Sequence, residues 1–484
     1  MNLHNPTLLA TSPYVDGKWV ASPSSFNVVN PADGTLICQV GDGDATLANT
    51  AIDAALAAFP LWREQSAAER CRLLRRWFAL IMEHQEDLAI IMTMEQGKPL
   101  AEARGEIAYG ASFIEWFSEE GKRVYGETIP APGPDKRIVV IRQPVGVVAA
   151  ITPWNFPNSM ITRKAAPALA AGCTFIVRPA SATPLSALAL ARLAEMAGFP
   201  PGVFNVLTSK DPHGMGTVFT ESPKVAKFSF TGSTRVGKNL IAQCASTVKR
   251  VSMELGGNAP FIVFADADLD AAVQGALVSK YRNAGQTCVC ANRFLVQRPV
   301  QGAFAEKLAK AVAALKVGKG MEAGVSIGPL IDEQAVRYVE QLVQDSLAVG
   351  AELVLGGKRH GLGGCFFEPT VLKNVSNDMP IAVNEIFGPV APLISFESEE
   401  EAIRLANDTP FGLAAYCYTR DIGRIWRVAE ALEYGMVGIN EGLISNAAAP
   451  FGGMKQSGLG REGSHFGMDE YLEIKYLCLG GLEA

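Results

Sequence analysis

Apolar residues recur at helical spacing through residues 45–120, and segments 53–59, 67–96 and 100–119 each present one apolar stripe. They predict a helical N-terminal region, punctuated by Pro60 and by Gly97-Lys98-Pro99. After residue 143 the rhythm changes. Short apolar runs at 145–151, 174–177, 203–207, 225–230 and 250–255 alternate with helical stretches, among them 160–171 and 184–197. Runs too short for helices, separated by helices, predict βαβ units and a buried parallel sheet. Ligands of such sheets bind at the carboxyl ends of the strands. From residue 259 the alternation resumes with longer spacers, giving strands at 261–264, 294–297, 390–396, 414–418 and 437–440 and a second α/β domain. The boundary falls near Gly256-Gly257. Two β-type pieces, 124–142 and 471–478, have no obvious partner in either run.

The length of 484 residues suits two large domains or three smaller ones. With 48% hydrophobic and only 19% charged residues the chain can bury a sizeable core, which excludes global disorder. A net charge of −6 without a basic tract argues against nucleic acid as a partner. The longest nearly apolar run, 165–177, is broken by Pro167 and Gly172 and falls short of the ~20 residues that cross a bilayer. No membrane partner is expected. Residues 1–20 lack the basic and apolar segments of a signal peptide. Nine scattered cysteines without a C-x-x-C fit a reducing cytoplasm, and the five histidines show no metal-ligand spacing, so no metal is expected.

Two glycine-rich segments suggest phosphate binding by their letters. Gly458-Leu-Gly460-Arg-Glu-Gly463 has no clear strand running into it and reads as a plain loop. Gly232-Ser233-Thr-Arg-Val-Gly237-Lys238 follows a strand and opens a helix, but Asn239 replaces the magnesium-holding hydroxyl of a P-loop. Phosphate binding at that helix start is kept and nucleotide hydrolysis dropped.

Three further segments carry candidate chemistry. Cys288 stands in the polar turn Gly285-Gln286-Thr287-Cys288, where a thiol is more reactive than inside an apolar run. Glu254 ends a buried strand just before Gly256-Gly257, a place where charges seldom sit unless they work there. Asn155 lies in the stiff loop Thr152-Pro153-Trp154-Asn155-Phe156-Pro157, which can aim an amide donor or simply cap the turn.

Together these segments resemble the aldehyde dehydrogenase superfamily along essentially the whole chain. The markers are T-P-W-N-F-P at 152–157, F-T-G-S-T-x-x-G at 230–237, E-L-G-G-N at 254–258, G-Q-T-C at 285–288, E-I-F-G-P at 385–389 and P-F-G-G at 450–453. The resemblance implies an α/β, aldehyde dehydrogenase-like fold: two doubly wound α/β domains plus a β-strand oligomerisation element. It assigns 1–123 and 144–253 to a dinucleotide-binding domain, 254–445 to a catalytic domain, and 124–143 with 446–484 to an oligomerisation arm. A homodimer or homotetramer follows. Cys288 would attack the aldehyde carbon, Asn155 would hold the oxyanion, and Glu254 would activate the water that hydrolyses the thioester. Lys164 is a structural or proton-relay residue. NADP or NAD would lie along Thr152, Pro153, Trp154, Arg178, Ser181, Gly232, Ser233, Gly237 and Leu255, with Glu385 on the nicotinamide ribose and Phe387 near the ring.

Within the superfamily, segments 160–164, 281–283 and 442–446 are similar to those of bacterial succinate-semialdehyde dehydrogenases. That resemblance gives Arg163, Arg282 and Ser445 the distal carboxylate of a small-molecule semialdehyde. Two guanidiniums with no acidic partner in their motifs suit that task, although an ordinary ion pair is the plainer reading of Arg163. Glutarate semialdehyde, one methylene longer, is the alternative substrate. Arg178 replaces the family's usual lysine, and Ser181 stands where strict NAD users often carry an acid, so NADP is expected to be accepted. Cys290 is a redox candidate, either a packed thiol or a resolving partner for an oxidised Cys288. A scaffold without activity, a coenzyme-A-dependent enzyme and a nucleotide hydrolase are the rivals. The retained Cys288, Glu254 and Asn155 argue against the first, the intact E-L-G-G against the second, and Asn239 against the third.

Overall fold

The computed structural model describes residues 1–482. Two parallel sheets dominate it. The first runs in the order Lys18–Trp19, Tyr14–Val15, Phe204–Val206, Thr174–Arg178, Val147–Ile151, Val225–Thr231, Arg250–Glu254 and Gly458–Leu459. Its five central strands are parallel and its edges antiparallel. Val147–Ile151 and Thr174–Arg178 are buried along their whole length, because helices cover both faces. The second sheet runs Glu352–Leu355, Thr370–Val375, Val390–Phe396, Ala291–Gln297, Ala259–Val263, Ala414–Tyr418 and Met436–Ile439. The chain passes from one sheet to the other across residues 255–258. Each sheet has its own apolar core.

The N-terminal helices are Ala45–Glu64, Ala67–Glu83, Gln85–Gln96 and Leu100–Glu120. The single helix expected over 67–96 is split at His84, whose backbone leaves the helical region. The helix expected to stop at Pro60 instead runs through it, as proline permits when the rest of the helix packs well. The strands Ser24–Val29, Leu36–Asp42, Glu352–Leu355 and Thr370–Val375 have no counterpart among the expected elements, being short, partly exposed or poor in β-branched runs.

The expected arm 446–484 divides. Met454–Lys455 pairs with Phe411–Gly412, and Gly458–Leu459 pairs with the end of Arg250–Glu254. Only Leu472–Leu479 joins Arg137–Pro144 and Glu127–Ile129 in a separate three-stranded sheet. The segment 446–470 thus belongs to the two domains, because its glycines let it lie against their strand ends. At Gly458, with φ 140°, a Cβ would stand 1.9 Å from the Met253 carbonyl oxygen. Among the described residues no helix is long and apolar enough to cross a membrane.

Candidate active site

The carboxyl ends of the first sheet's strands meet the loops of the second sheet around a cavity of about 240 Å³. Cys288, Glu254, Asn155, Pro153, Trp154, Gly232, Ser233, Leu255, Glu385 and Phe387 all line it, and Met160, absent from the expected site, adds an apolar wall. The Cys288 turn is held by an unusual backbone. Asn283 and Ala284 sit at φ 52° and 53°, and Gly285 follows at 77° with its α-carbon against the Gly388 carbonyl. Two consecutive non-glycine residues in that region store strain, as turns that aim a reactive group commonly do.

Burial pushes the Cys288 thiol up to about 12; Arg163 opposes the shift most, while Glu385 and Glu254 add to it. The resting thiol is therefore protonated and needs an acceptor. Glu254 ends its strand with Oε2 buried and unpartnered. Burial, then the neighbouring Glu462 carboxylate, raises its carboxyl well above the ordinary range. A carboxylate of that kind is a stronger base. The Asn155 Nδ2 donates to the Gln286 carbonyl at 3.0 Å, which lays the amide against the cysteine turn.

A second cleft of about 480 Å³ shares Pro153, Trp154, Thr231, Gly232 and Ser233 with the first and continues to Thr152 and Arg178. Ser233 caps the helix Thr234–Cys244, accepting from Val236 N, so free N–H groups open towards the cleft. Gly237 does not line it but packs on Leu255, where a Cβ would stand 2.4 Å from a leucine methyl. Buried polar atoms without partners (Thr152 Oγ1, Thr231 Oγ1 and Arg178 Nε) border this cleft, and such groups fit a polar ligand. Arg178 also donates to the Ser209 carbonyl; burial lowers its pKa to about 10, so it stays charged. Trp154 and Phe387 meet edge to face at 5.6 Å where the two spaces join. Glu385 accepts from Gly257 N at 3.1 Å, and burial pushes its carboxyl up to about 7.

The structure does not bring Ser181 into this cleft. It lines a separate open pocket with Ala182 and Lys210, a lysine that no sequence motif marked. Cys290 is buried and its thiol donates to the Lys280 carbonyl at 3.1 Å; all nine cysteines are free.

Arg163 departs from expectation. Its guanidinium Nε donates to Glu462, and so does the Lys164 ammonium, all three groups being buried. The acidic partner that its own motif lacks comes from a distant loop. That loop is the glycine-rich segment 458–463, whose strand pairing with Met253 and Glu254 carries Glu462 inward. Arg163 still keeps Nη2 buried without a partner. Arg282 lies 5.2 Å from the Phe156 ring and forms no salt bridge among the described residues. Ser445 lines a neighbouring pocket with Phe451, on which Arg163 stacks at 4.0 Å. The buried hydroxyl of Tyr109 lies within electrostatic reach of Arg163 and Arg282 and near Ser445. No sequence pattern marked Tyr109; it sits on an ordinary amphipathic helix.

Residues 19–477 match the pattern of the aldehyde dehydrogenase family. A 3-sulfolactaldehyde dehydrogenase of Pseudomonas putida is 60% identical over all of both chains. A glutarate-semialdehyde dehydrogenase of Pseudomonas aeruginosa is likewise 60% identical over 100% of each chain. Among solved structures, a succinate-semialdehyde dehydrogenase from Burkholderia pseudomallei superposes with a TM-score of 0.98 at 61% identity, covering 99% of this chain and 100% of that one.

Proposed function

The chain belongs to the aldehyde dehydrogenase family, and from that premise we propose that it oxidises succinate semialdehyde to succinate through a covalent intermediate on Cys288. NAD or NADP is its cofactor. The nicotinamide, when bound, would supply the hydride acceptor. Thr152, Trp154, Arg178, Gly232 and Ser233 would hold the dinucleotide, with Glu385 and Phe387 at the end nearest Cys288.

The chain's own residues do the rest. The Cys288 thiol loses its proton to solvent, and the thiolate adds to the aldehyde carbon. The second Nδ2 hydrogen of Asn155, with the Cys288 backbone N–H, meets the oxyanion that forms. Once the thioester exists, Glu254 activates the water that releases the acid.

The observation that carries the substrate class is the pair of incompletely used guanidiniums. Arg282 has no carboxylate partner among the described residues, and Arg163 offers a buried Nη2 beside Tyr109 and Ser445. Cationic donors left open, Arg163 buried and Arg282 half-buried, fit an anionic tail. The relatives' names carry carboxylated and sulfonated aldehydes alike. Glutarate semialdehyde is the second reading, because one methylene is worth only ~1 kcal/mol in an apolar pocket. A kcat/KM panel over succinate semialdehyde, glutarate semialdehyde, 3-sulfolactaldehyde and butanal tests this. Succinate semialdehyde should lead and butanal trail by about a hundredfold or more, in line with a lost charged contact. Equal values for butanal and the anions would refute an anion-reading pocket.

Cofactor choice follows from Arg178, whose buried and unpartnered Nε on the dinucleotide cleft suits a 2′-phosphate. NADP should bind at least as tightly as NAD by fluorescence titration. Binding a hundredfold weaker than NAD would overturn that assignment.

The three-stranded sheet is the oligomerisation element in this reading. Its strand Leu472–Leu479 exposes Ile474 (69%) and Tyr476 (58%), together with Leu477 and Leu479. An exposed apolar strand of that length invites a partner. Light scattering at micromolar concentration should give a dimer or tetramer; a monomer would contradict it. The free thiols suit a reducing cytoplasm.

A further inference from the structure

The amino group of Lys98 is fully buried, yet it lines none of the cavities described above. Its ammonium donates to Glu106 Oε2 at 2.5 Å and to the Asn155 carbonyl oxygen at 2.8 Å. It also stands 4.0 Å from the ring centre of Phe156, the next residue in the loop. Lys98 follows Gly97, where the chain turns between two helices with φ 94° and where a Cβ would strike Pro329 and Pro31. Glu106 projects from the second of those helices, Leu100–Glu120. Its other oxygen, Oε1, accepts from Asn158 N at 3.0 Å and Ser159 N at 3.2 Å, the first N–H groups of helix Ser159–Ala171. One ion pair therefore clamps both the carbonyl of Asn155 and the start of the helix that follows its loop.

The same carbonyl accepts from Asn283 Nδ2 at 3.0 Å. Asn283 opens the strained turn that leads to Cys288, and its Nδ2 also reaches the Gln286 carbonyl, which receives the Asn155 side chain. Asn283 N in turn donates to Glu102, one helical turn before Glu106. The loop carrying the amide and the turn carrying the thiol are thus fixed to one another and to the same helix. A buried charge pair often stabilises a fold no better than apolar residues of equal volume, so stability alone does not account for this one.

We infer that the Lys98–Glu106 pair is a positioning device that sets the Asn155 amide against Cys288, an inference that rests on the reading of Asn155 as the oxyanion donor. Neither residue touches the substrate. Lys98 acts through the Asn155 carbonyl, and Glu106 acts through Lys98.

The test separates position from stability. In Lys98→Met/Glu106→Gln neither member of the pair is left as a lone charge, Glu102 keeps Asn283 N and the nearby Arg282, and the amide oxygen introduced at position 106 still accepts from Asn158 N and Ser159 N. The melting temperature should therefore lie within about 5 °C of wild type. The kcat should nevertheless fall about tenfold to a hundredfold while KM changes less than about threefold, because a misplaced oxyanion donor costs transition-state and not ground-state binding. Glu106→Gln alone leaves Lys98 in place without the carboxylate that holds it, and should lower kcat by less than the double variant does. Lys98→Leu/Glu106→Gln, made in parallel, gives the same readout if the methionine variant folds poorly. Wild-type kcat in a folded double variant overturns the inference. Asn155→Ala is the control: wild-type kcat there would refute the oxyanion reading itself, whereas a slow Asn155→Ala beside a fast double variant refutes only the role of Lys98.

Discussion

Cys288→Ala should leave no measurable aldehyde oxidation, a loss of at least about 10⁴-fold, because the covalent route has no other nucleophile. The neighbouring thiol, Cys290, is buried and turned to the Lys280 carbonyl. Glu254→Gln should behave differently. The replacing amide still fills the end of the strand but accepts no proton, so water attack on the thioester slows by about 10²–10⁴-fold. A burst of reduced cofactor, seen as near-ultraviolet absorbance, should then give way to a stalled steady state. The sign of the pH dependence follows from the raised Glu254 carboxyl. Protonated Glu254 is no base, so wild-type turnover should rise with pH as that group deprotonates, well above the ordinary carboxylate range. Normal steady-state turnover by Glu254→Gln would remove Glu254 from the mechanism.

The second large effect is expected at Arg282. Truncating one partner of a desolvated charge pair costs about 2–5 kcal/mol. Arg282→Ala should therefore raise KM steeply for succinate semialdehyde, with kcat/KM falling about 30-fold to several thousandfold by the same range. Butanal, with no anionic tail, should be little affected. Arg163→Ala should not show that selectivity cleanly. Arg163 shares Glu462 with Lys164 and opposes the upward shift of the Cys288 thiol, so its loss disturbs the chemistry of every substrate. Equal losses on both aldehydes for Arg282→Ala would make Arg282 structural as well.

The contrast between the two arginines shows where the sequence stopped being legible. Cys288, Glu254 and Asn155 stand in short motifs whose local chemistry already suggested their use, and each lines the same cavity. The strands that deliver them were visible because strands buried on both faces read as plain apolar runs. Glu462 was invisible for the opposite reason. It lies 299 residues from Arg163, in a glycine-rich loop that looks featureless until Gly458–Leu459 pairs with the strand ending in Glu254. Lys98 and Tyr109 were hidden in the same way, one in a turn between helices and one on an amphipathic helix. Strands with an exposed face, such as Leu36–Asp42 and Glu352–Leu355, were lost because their apolar alternation is weak.

Glu254→Gln also offers the most direct test of the covalent mechanism. The variant is mixed with NADP and succinate semialdehyde, quenched in acid during the stall and fragmented in a mass spectrometer. A succinyl group on Cys288 is predicted in near-stoichiometric amount, absent when NADP is omitted and absent in Cys288→Ala. An unmodified Cys288 in a variant that has already released its burst of NADPH, or the acyl group on Cys290 instead, would contradict that mechanism.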